Sequence, residues 1–182
     1  MTKGKKDFQM SNVIRYKMIL FGNQGVGKTS LVERFINDKF EENYISTLGY
    51  TVYEKQFTFQ NTIISLMIYD IGGQEKFRDL RKKYAEGADA AFIVYDITDS
   101  HSFQMVEDWK YDLYQFAGEI PFVIIGNKKD LEANRQVDLE IAQLSSNELG
   151  ADDFFETSAK TGEEVNSAFK KLAFQTYEKK DY

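Results

Sequence analysis

The chain has 182 residues, 42% of them hydrophobic and 29% charged, which suits one globular domain with a sizeable core and rules out a disordered polymer. Its formal net charge of -6 disfavours a nucleic-acid duplex as partner, because duplex phosphates are held by clustered Lys and Arg, yet it is compatible with a nucleotide held by backbone amides and one or two lysines. Zero cysteines exclude disulfides, thiolate metal sites and a cysteine-borne lipid anchor within these residues. With no apolar run near the roughly 18 residues of a membrane span, and no signal-like stretch after Lys3 to Lys6, a cytoplasmic protein is expected, peripheral to membranes only through a lipidated extension.

A polar start at 1–12 is expected to be loose, the ordered domain to span 13–178, and 179–182 to form a short tail. The first apolar run, 14–21, reads as a strand. It leads into Gly22-Asn23-Gln24-Gly25-Val26-Gly27-Lys28-Thr29, which fits GxxxxGK[ST], and then into a helical stretch at 29–37. In such a P-loop the glycines let the backbone turn tightly, so that successive N–H groups and the helix N-terminus face phosphate oxygens. Lys28 supplies a full positive charge near the β and γ phosphates, and the Thr29 hydroxyl is placed to bind Mg²⁺. The runs 50–60 and 63–70 are separated by about two residues, too few for a crossover, and should form an antiparallel hairpin. A helix at 75–86, a strand at 90–96, a helix at 102–117 and a strand at 121–126 follow, the only proline, Pro121, opening the last of these.

Asn127-Lys128-Lys129-Asp130 comes next, at a C-terminal strand end and so on the same rim as the P-loop. There an ionised Asp130 can accept guanine's N1–H and N2 amine as a bidentate pair, whereas adenine offers an acceptor at N1 and no C2 amine. Alone, this tetrapeptide reads as a solvated turn, and a P-loop alone is shared by kinases, ATPases and GTPases. A helix at 138–149, a short strand at 153–157 and a helix at 161–178 complete the pattern. In the last helix Val165, Ala168, Phe169 and Leu172 make an apolar face, and Thr161 with Glu164 forms a capping-box pattern. The alternation predicts an α/β fold, a six-stranded, mostly parallel sheet with one antiparallel strand and helices on both faces, its ligand at the C-terminal strand ends.

Together the motifs resemble those of the Ras superfamily of small GTPases, over roughly 13–178, which implies a P-loop NTPase G domain. Tyr44-Ile45-Ser46-Thr47-Leu48-Gly49 looks like switch I, where the resemblance places Thr47 on Mg²⁺ and the γ-phosphate. Asp70-Ile71-Gly72-Gly73-Gln74-Glu75 looks like switch II, implying Asp70 behind Mg²⁺, the Gly73 amide on the γ-phosphate and Gln74 orienting the attacking water. Glu156-Thr157-Ser158-Ala159-Lys160 is similar to the last base loop, where the Ala159 N–H would meet guanine O6 between Ser158 and Lys160. Phe40 aligns with the aromatic that packs on the base and Lys128 with the lysine that lies over it. The resemblance further implies nucleotide contacts at Gly25, Val26, Gly27 and Ser30 around Lys28 and Thr29, at Tyr44, and at Asn127 and Leu131 beside Asp130. Thr29, Thr47 and Asp70 are then the metal residues, and Gln74, Lys28 and Thr47 the catalytic ones.

The nearest branch is Rab, echoed by Ser46-Thr47-Leu48-Gly49, Lys76-Phe77-Arg78 and Val94-Tyr95-Asp96-Ile97-Thr98. Tyr69 stands where Rabs usually have Trp, Tyr50-Thr51-Val52 departs from Val-Asp-Phe, and Gly72 gives a Gly-Gly-Gln more like Arf proteins. The resemblance implies a monomeric switch that binds GTP and GDP with Mg²⁺ and hydrolyses GTP slowly, by positioning and electrostatics. Effector, exchange-factor and GTPase-activating proteins would be met through the two switches. Gln24 fills the P-loop position where Ras has glycine and many Rabs have serine, so the resemblance implies a longer side chain beside the γ-phosphate, which either crowds Gln74 and its water or holds that water itself. The single histidine, His101, reads as a capping or surface residue, and Asp96 and Asp99 as loop and cap residues.

Overall fold

A computed structural model of the protein describes residues 12–42 and 46–180. In chain order the elements are β1 (Asn12–Phe21), α1 (Lys28–Asn37), β2 (Tyr50–Phe59), β3 (Thr62–Ile71), a 3₁₀ turn (Glu75–Phe77) leading into α2 (Arg78–Ala85), and β4 (Ala90–Asp96). There follow α3 (Ser100–Gln104), α4 (Val106–Ala117), β5 (Phe122–Asn127), a 3₁₀ segment (Lys129–Asn134), α5 (Leu139–Glu148), β6 (Asp153–Glu156) and α6 (Val165–Lys180). The six strands form one sheet in the order β2-β3-β1-β4-β5-β6, parallel throughout except for β2 against β3. The expected architecture is borne out, as is the hairpin. Its turn is Gln60-Asn61, both at positive φ, the backbone that lets a two-residue connection follow the twist of its strands.

Strand periodicity sorts the core into two layers. Met18 and Leu20 of β1 pack with Leu31 and Phe35 of α1 and Phe169 and Leu172 of α6. Ile19 and Phe21 face the other way, onto Trp109 and Leu113 of α4 and Ala142 of α5. Every residue of β4 is buried, the mark of a central strand covered on both faces. The Gly22–Thr29 loop and the turn that begins at Lys128 emerge from the C-terminal ends of β1 and β5, so the sheet fixes their separation.

Some boundaries differ from expectation. The stretch at 102–117 is two helices, broken at Met105. Asp99 caps α3 by accepting from the His101 and Ser102 amides, and the buried Ser102 hydroxyl ties that turn to the end of β4 by accepting from Asp96 N and donating to Asp99 O. α4 then restarts with Val106, Trp109 and Leu113 facing the core. Helix α6 starts at Val165, not at Thr161, and there is no capping box: Glu164 is left-handed (φ 56°), and Thr161 Oγ1 accepts from Glu163 N instead. The residues before α6 are already committed to a tight turn, in which Gly162 N donates to Ser158 O and Ser158 N to Glu163 O. The anticipated face of Val165, Ala168, Phe169 and Leu172 is buried. At its other end α6 runs to Lys180, two residues past the expected domain boundary, with Lys179 paired to Asp152 and Lys180 to Asp89. Asn12 is already in β1, paired with Thr62, and 1–11, 43–45 and 181–182 lie outside the described residues.

Candidate functional site

The P-loop runs from β1 into α1, and Gly27, at φ 98°, is the residue on which the helix begins. Among the described residues no side chain caps this N-terminus, so its first amides face outward as donors for an anion. A Cβ on Gly27 would lie 2.3 Å from Asn127 Nδ2, so glycine is what lets the phosphate loop touch the base loop. Through that gap Asn127 Nδ2 donates to Val26 O at 3.0 Å.

Lys28 is 6% exposed and folds back over the loop, its Nζ donating to Gly22 O at 2.7 Å and Asn23 O at 2.8 Å. Burial pushes its ammonium down to about 8; Asp70 opposes the shift and Arg81 adds to it. An anion at the loop would act in the same direction as Asp70. Beside the lysine three oxygens converge: Thr29 Oγ1 donates to Asp70 Oδ2 at 2.6 Å and lies 2.7 Å from Thr47 Oγ1. Asp70 Oδ1 is buried with no hydrogen-bond partner among the described residues, and desolvation raises the carboxyl's pKa. The segment 46–49 thus lies against the P-loop through Thr47.

The backbone of switch II lies against both. A Cβ on Gly73 would come within 2.5 Å of Gly22 O, and one on Gly72 within 2.5 Å of the Phe77 ring and 2.8 Å of Thr47 O, so the Gly-Gly pair is a steric requirement of this packing. Gln74 Nε2 donates to Ser46 Oγ at 2.9 Å, and Gln24 Nε2 donates to the same oxygen at 3.0 Å. Arg81, 1% exposed, donates through Nη1 to Gly72 O at 3.1 Å and Gln74 O at 2.8 Å, and its guanidinium lies 4.9 Å from the centre of the Trp109 ring. The Trp109 indole in turn donates to Asn23 Oδ1 of the P-loop at 2.6 Å.

At the base end, Asn127 Oδ1 accepts from Thr157 Oγ1 at 3.1 Å and from the Ala159 amide at 3.3 Å, and Asp130 Oδ1 accepts from Ser158 Oγ at 2.6 Å. Arg34 of α1 braces the last loop, Nε donating to Ala159 O at 2.8 Å and Nη2 to Lys160 O at 2.6 Å. Arg135 ties the two base loops together, with bidentate contacts of 2.7 Å to Glu156 and further bonds of 2.6 and 2.8 Å to Glu132. Lys128 is left-handed (φ 69°), its Nζ 2.6 Å from Asp96 Oδ2. Between these loops lies a cavity of about 420 Å³, the size of a small-molecule site. Gly25, Gly27 and Ser30 line one side, Asn127, Lys128, Asp130, Leu131, Ala159 and Lys160 the other, and Phe40 a wall.

The fold therefore brings the anticipated residues to one rim, apart from Tyr44, which lies outside the described residues. Motif reading missed Arg34, Ser46, Arg81, Trp109, the Arg135 clamp, and Glu41 and Glu42 at the cavity wall. Only Ser46 stood inside a motif; the others bear no local signal.

The sequence profile of the Ras family matches residues 17–178. The chain belongs to the Ras family. Within it this Ras-family chain is a Rab-like small GTPase, as its motifs implied. It is 38% identical over 159 residues to GTP-binding protein YPTM2 of Zea mays, an alignment covering 87% of this chain and 78% of the relative. It is 39% identical over 155 residues to Ras-related protein RABD2a of Arabidopsis thaliana, covering 85% and 76%. Among the described residues no helix is long and apolar enough to cross a membrane.

Proposed function

We propose that the cavity seats guanine at Asp130, with the phosphates drawn along the P-loop to Lys28, and that Thr29, Thr47 and Asp70 hold Mg²⁺ at their end. The observation that carries this reading is the oxygen cluster beside Lys28, two threonine hydroxyls and a carboxylate whose second oxygen is buried without a partner. Among the described residues no three or more His, Cys, Asp or Glu are grouped so that they could hold a metal ion, so the donors are hard oxygens few in number, which suits an ion that keeps waters and phosphate oxygens in its shell. When bound, Mg²⁺ neutralises charge on the β and γ oxygens.

Around that centre this chain's residues position rather than react. Lys28 lies on the phosphates, the P-loop and Gly73 amides donate to their oxygens, and Gln74 orients the water for in-line attack. Val26, Ser30, Leu131 and Lys160 shape the nucleotide's bed, and Phe40 and Lys128 cover the base. Hydrolysis removes the group that holds Thr47 and Gly73, both switches relax, and partners selective for the ordered form dissociate. Effectors, exchange factors and activating proteins therefore engage switch I and switch II of a monomer. Two measurements test this. Nucleotide released from the denatured purified protein should be GTP or GDP, and an adenine nucleotide would overturn the reading. Single-turnover phosphate release should stop when Mg²⁺ is chelated, and undiminished release would remove the metal from the scheme.

A further inference from the structure

We propose that Ser46 is a positioning residue for GTP hydrolysis: its hydroxyl gathers the side chains of Gln24 and Gln74 into a clasp that joins P-loop, switch I and switch II. The inference rests on the reading of Gln74 as the water-orienting residue. The geometry is two amide donors on one oxygen, Gln74 Nε2 at 2.9 Å and Gln24 Nε2 at 3.0 Å. A serine oxygen has two acceptor lone pairs, and these bonds use both. Each carboxamide is polar at two ends, so fixing the nitrogen fixes the oxygen. With Gln74 Nε2 held by Ser46, its Oε1 is presented as the acceptor that a water proton needs.

The Gln74 backbone is held separately from its side chain. Arg81 holds the Gln74 backbone carbonyl at 2.8 Å from below, and Trp109, stacked on Arg81, is bonded to Asn23 of the P-loop. The Gln74 backbone is therefore fixed to the body of the protein, while its side chain is fixed by switch I. Thr47, the next residue after Ser46, lies 2.7 Å from Thr29 Oγ1, so the contact that closes switch I also carries the Ser46 hydroxyl to Gln74. Gln74 is oriented only while switch I is closed. Gln24 acts from the P-loop as a brace on Ser46.

The test is single-turnover GTP hydrolysis in saturating Mg²⁺, with GDP dissociation measured alongside. Gln74→Leu and Ser46→Ala should each slow hydrolysis about tenfold or more, while Gln24→Ala slows it less, about threefold. The double variant Ser46→Ala/Gln74→Leu should be no slower than Gln74→Leu, because Ser46 acts through Gln74. Ser46→Thr, which keeps the hydroxyl, should recover most of the rate, and GDP dissociation from Ser46→Ala should match wild type. A Ser46→Ala protein that hydrolyses at the wild-type rate or faster, beside a slow Gln74→Leu, overturns the clasp. So does a double variant whose losses multiply. A Gln74→Leu protein at the wild-type rate overturns instead the underlying reading of Gln74, and the clasp with it.

Discussion

In the proposed site the choice of base falls to Asp130, a carboxylate already held by a neighbouring hydroxyl. The Ser158 hydroxyl donates to Oδ1 at 2.6 Å, and since a carboxylate oxygen accepts more than one bond, both oxygens can still meet guanine N1–H and the N2 amine. Asp130→Asn replaces one acceptor by a donor and opposes guanine with like polarity. GTP affinity should fall about 10²-fold or more, and xanthosine nucleotides, with a C2 carbonyl, should bind better than to wild type. Calorimetry with both nucleotides checks this; unchanged GTP affinity would count against the assignment. Gly72 carries a different lesson. Gly72 is required by the Phe77 ring and the Thr47 carbonyl, which leave no room for a methyl.

Among the elements, α6 shows how a loop's duties override a helix signal. Thr161 and Glu164 have the right spacing to cap, but Ser158 is engaged with Asp130, and the turn that follows forces Glu164 to φ 56°. A non-glycine residue pays steric strain there, so Glu164→Gly should stabilise the protein by about 0.5–1 kcal/mol. Urea denaturation at fixed nucleotide concentration measures it, and a loss of stability would show that the Glu164 side chain makes a contact worth more than the strain. Helix α1 links the site to the core. Its N-terminus begins in the P-loop, its inner face stacks Phe35 on Phe169 at 4.3 Å, and its Arg34 holds the Ala159 and Lys160 carbonyls.

Across the whole molecule, the 127–130 and 156–160 loops and the 46–49 segment reach the P-loop in different ways. The base loops are cross-braced by Arg34, Arg135 and Asn127, whereas switch I reaches the P-loop through the side chains of Ser46 and Thr47. A seam closed by a few polar contacts opens at low cost and is suited to a switch. With a non-hydrolysable GTP analogue, backbone amides at 46–49 should exchange at least about tenfold more slowly than with GDP, while β4 and β5 exchange alike in both. Equal protection of 46–49 in the two states would argue that switch I does not report the nucleotide.

Much of this protein was legible before its chain was folded. Strands buried on both faces appear as unbroken apolar runs, the hairpin as two runs too close for a crossover, and the P-loop and the Asn127–Asp130 turn as contiguous strings, because backbone amides and adjacent side chains do their chemistry. What the sequence could not show is which distant side chains hold those strings in place. Arg34 meets Ala159 across 125 positions and Trp109 meets Asn23 across 86. Such contacts follow from which helix faces the sheet brings together, and no local periodicity marks them. Ser46 lay in plain sight within a motif, but only the tertiary structure, by placing two glutamines on its hydroxyl, gives it a task.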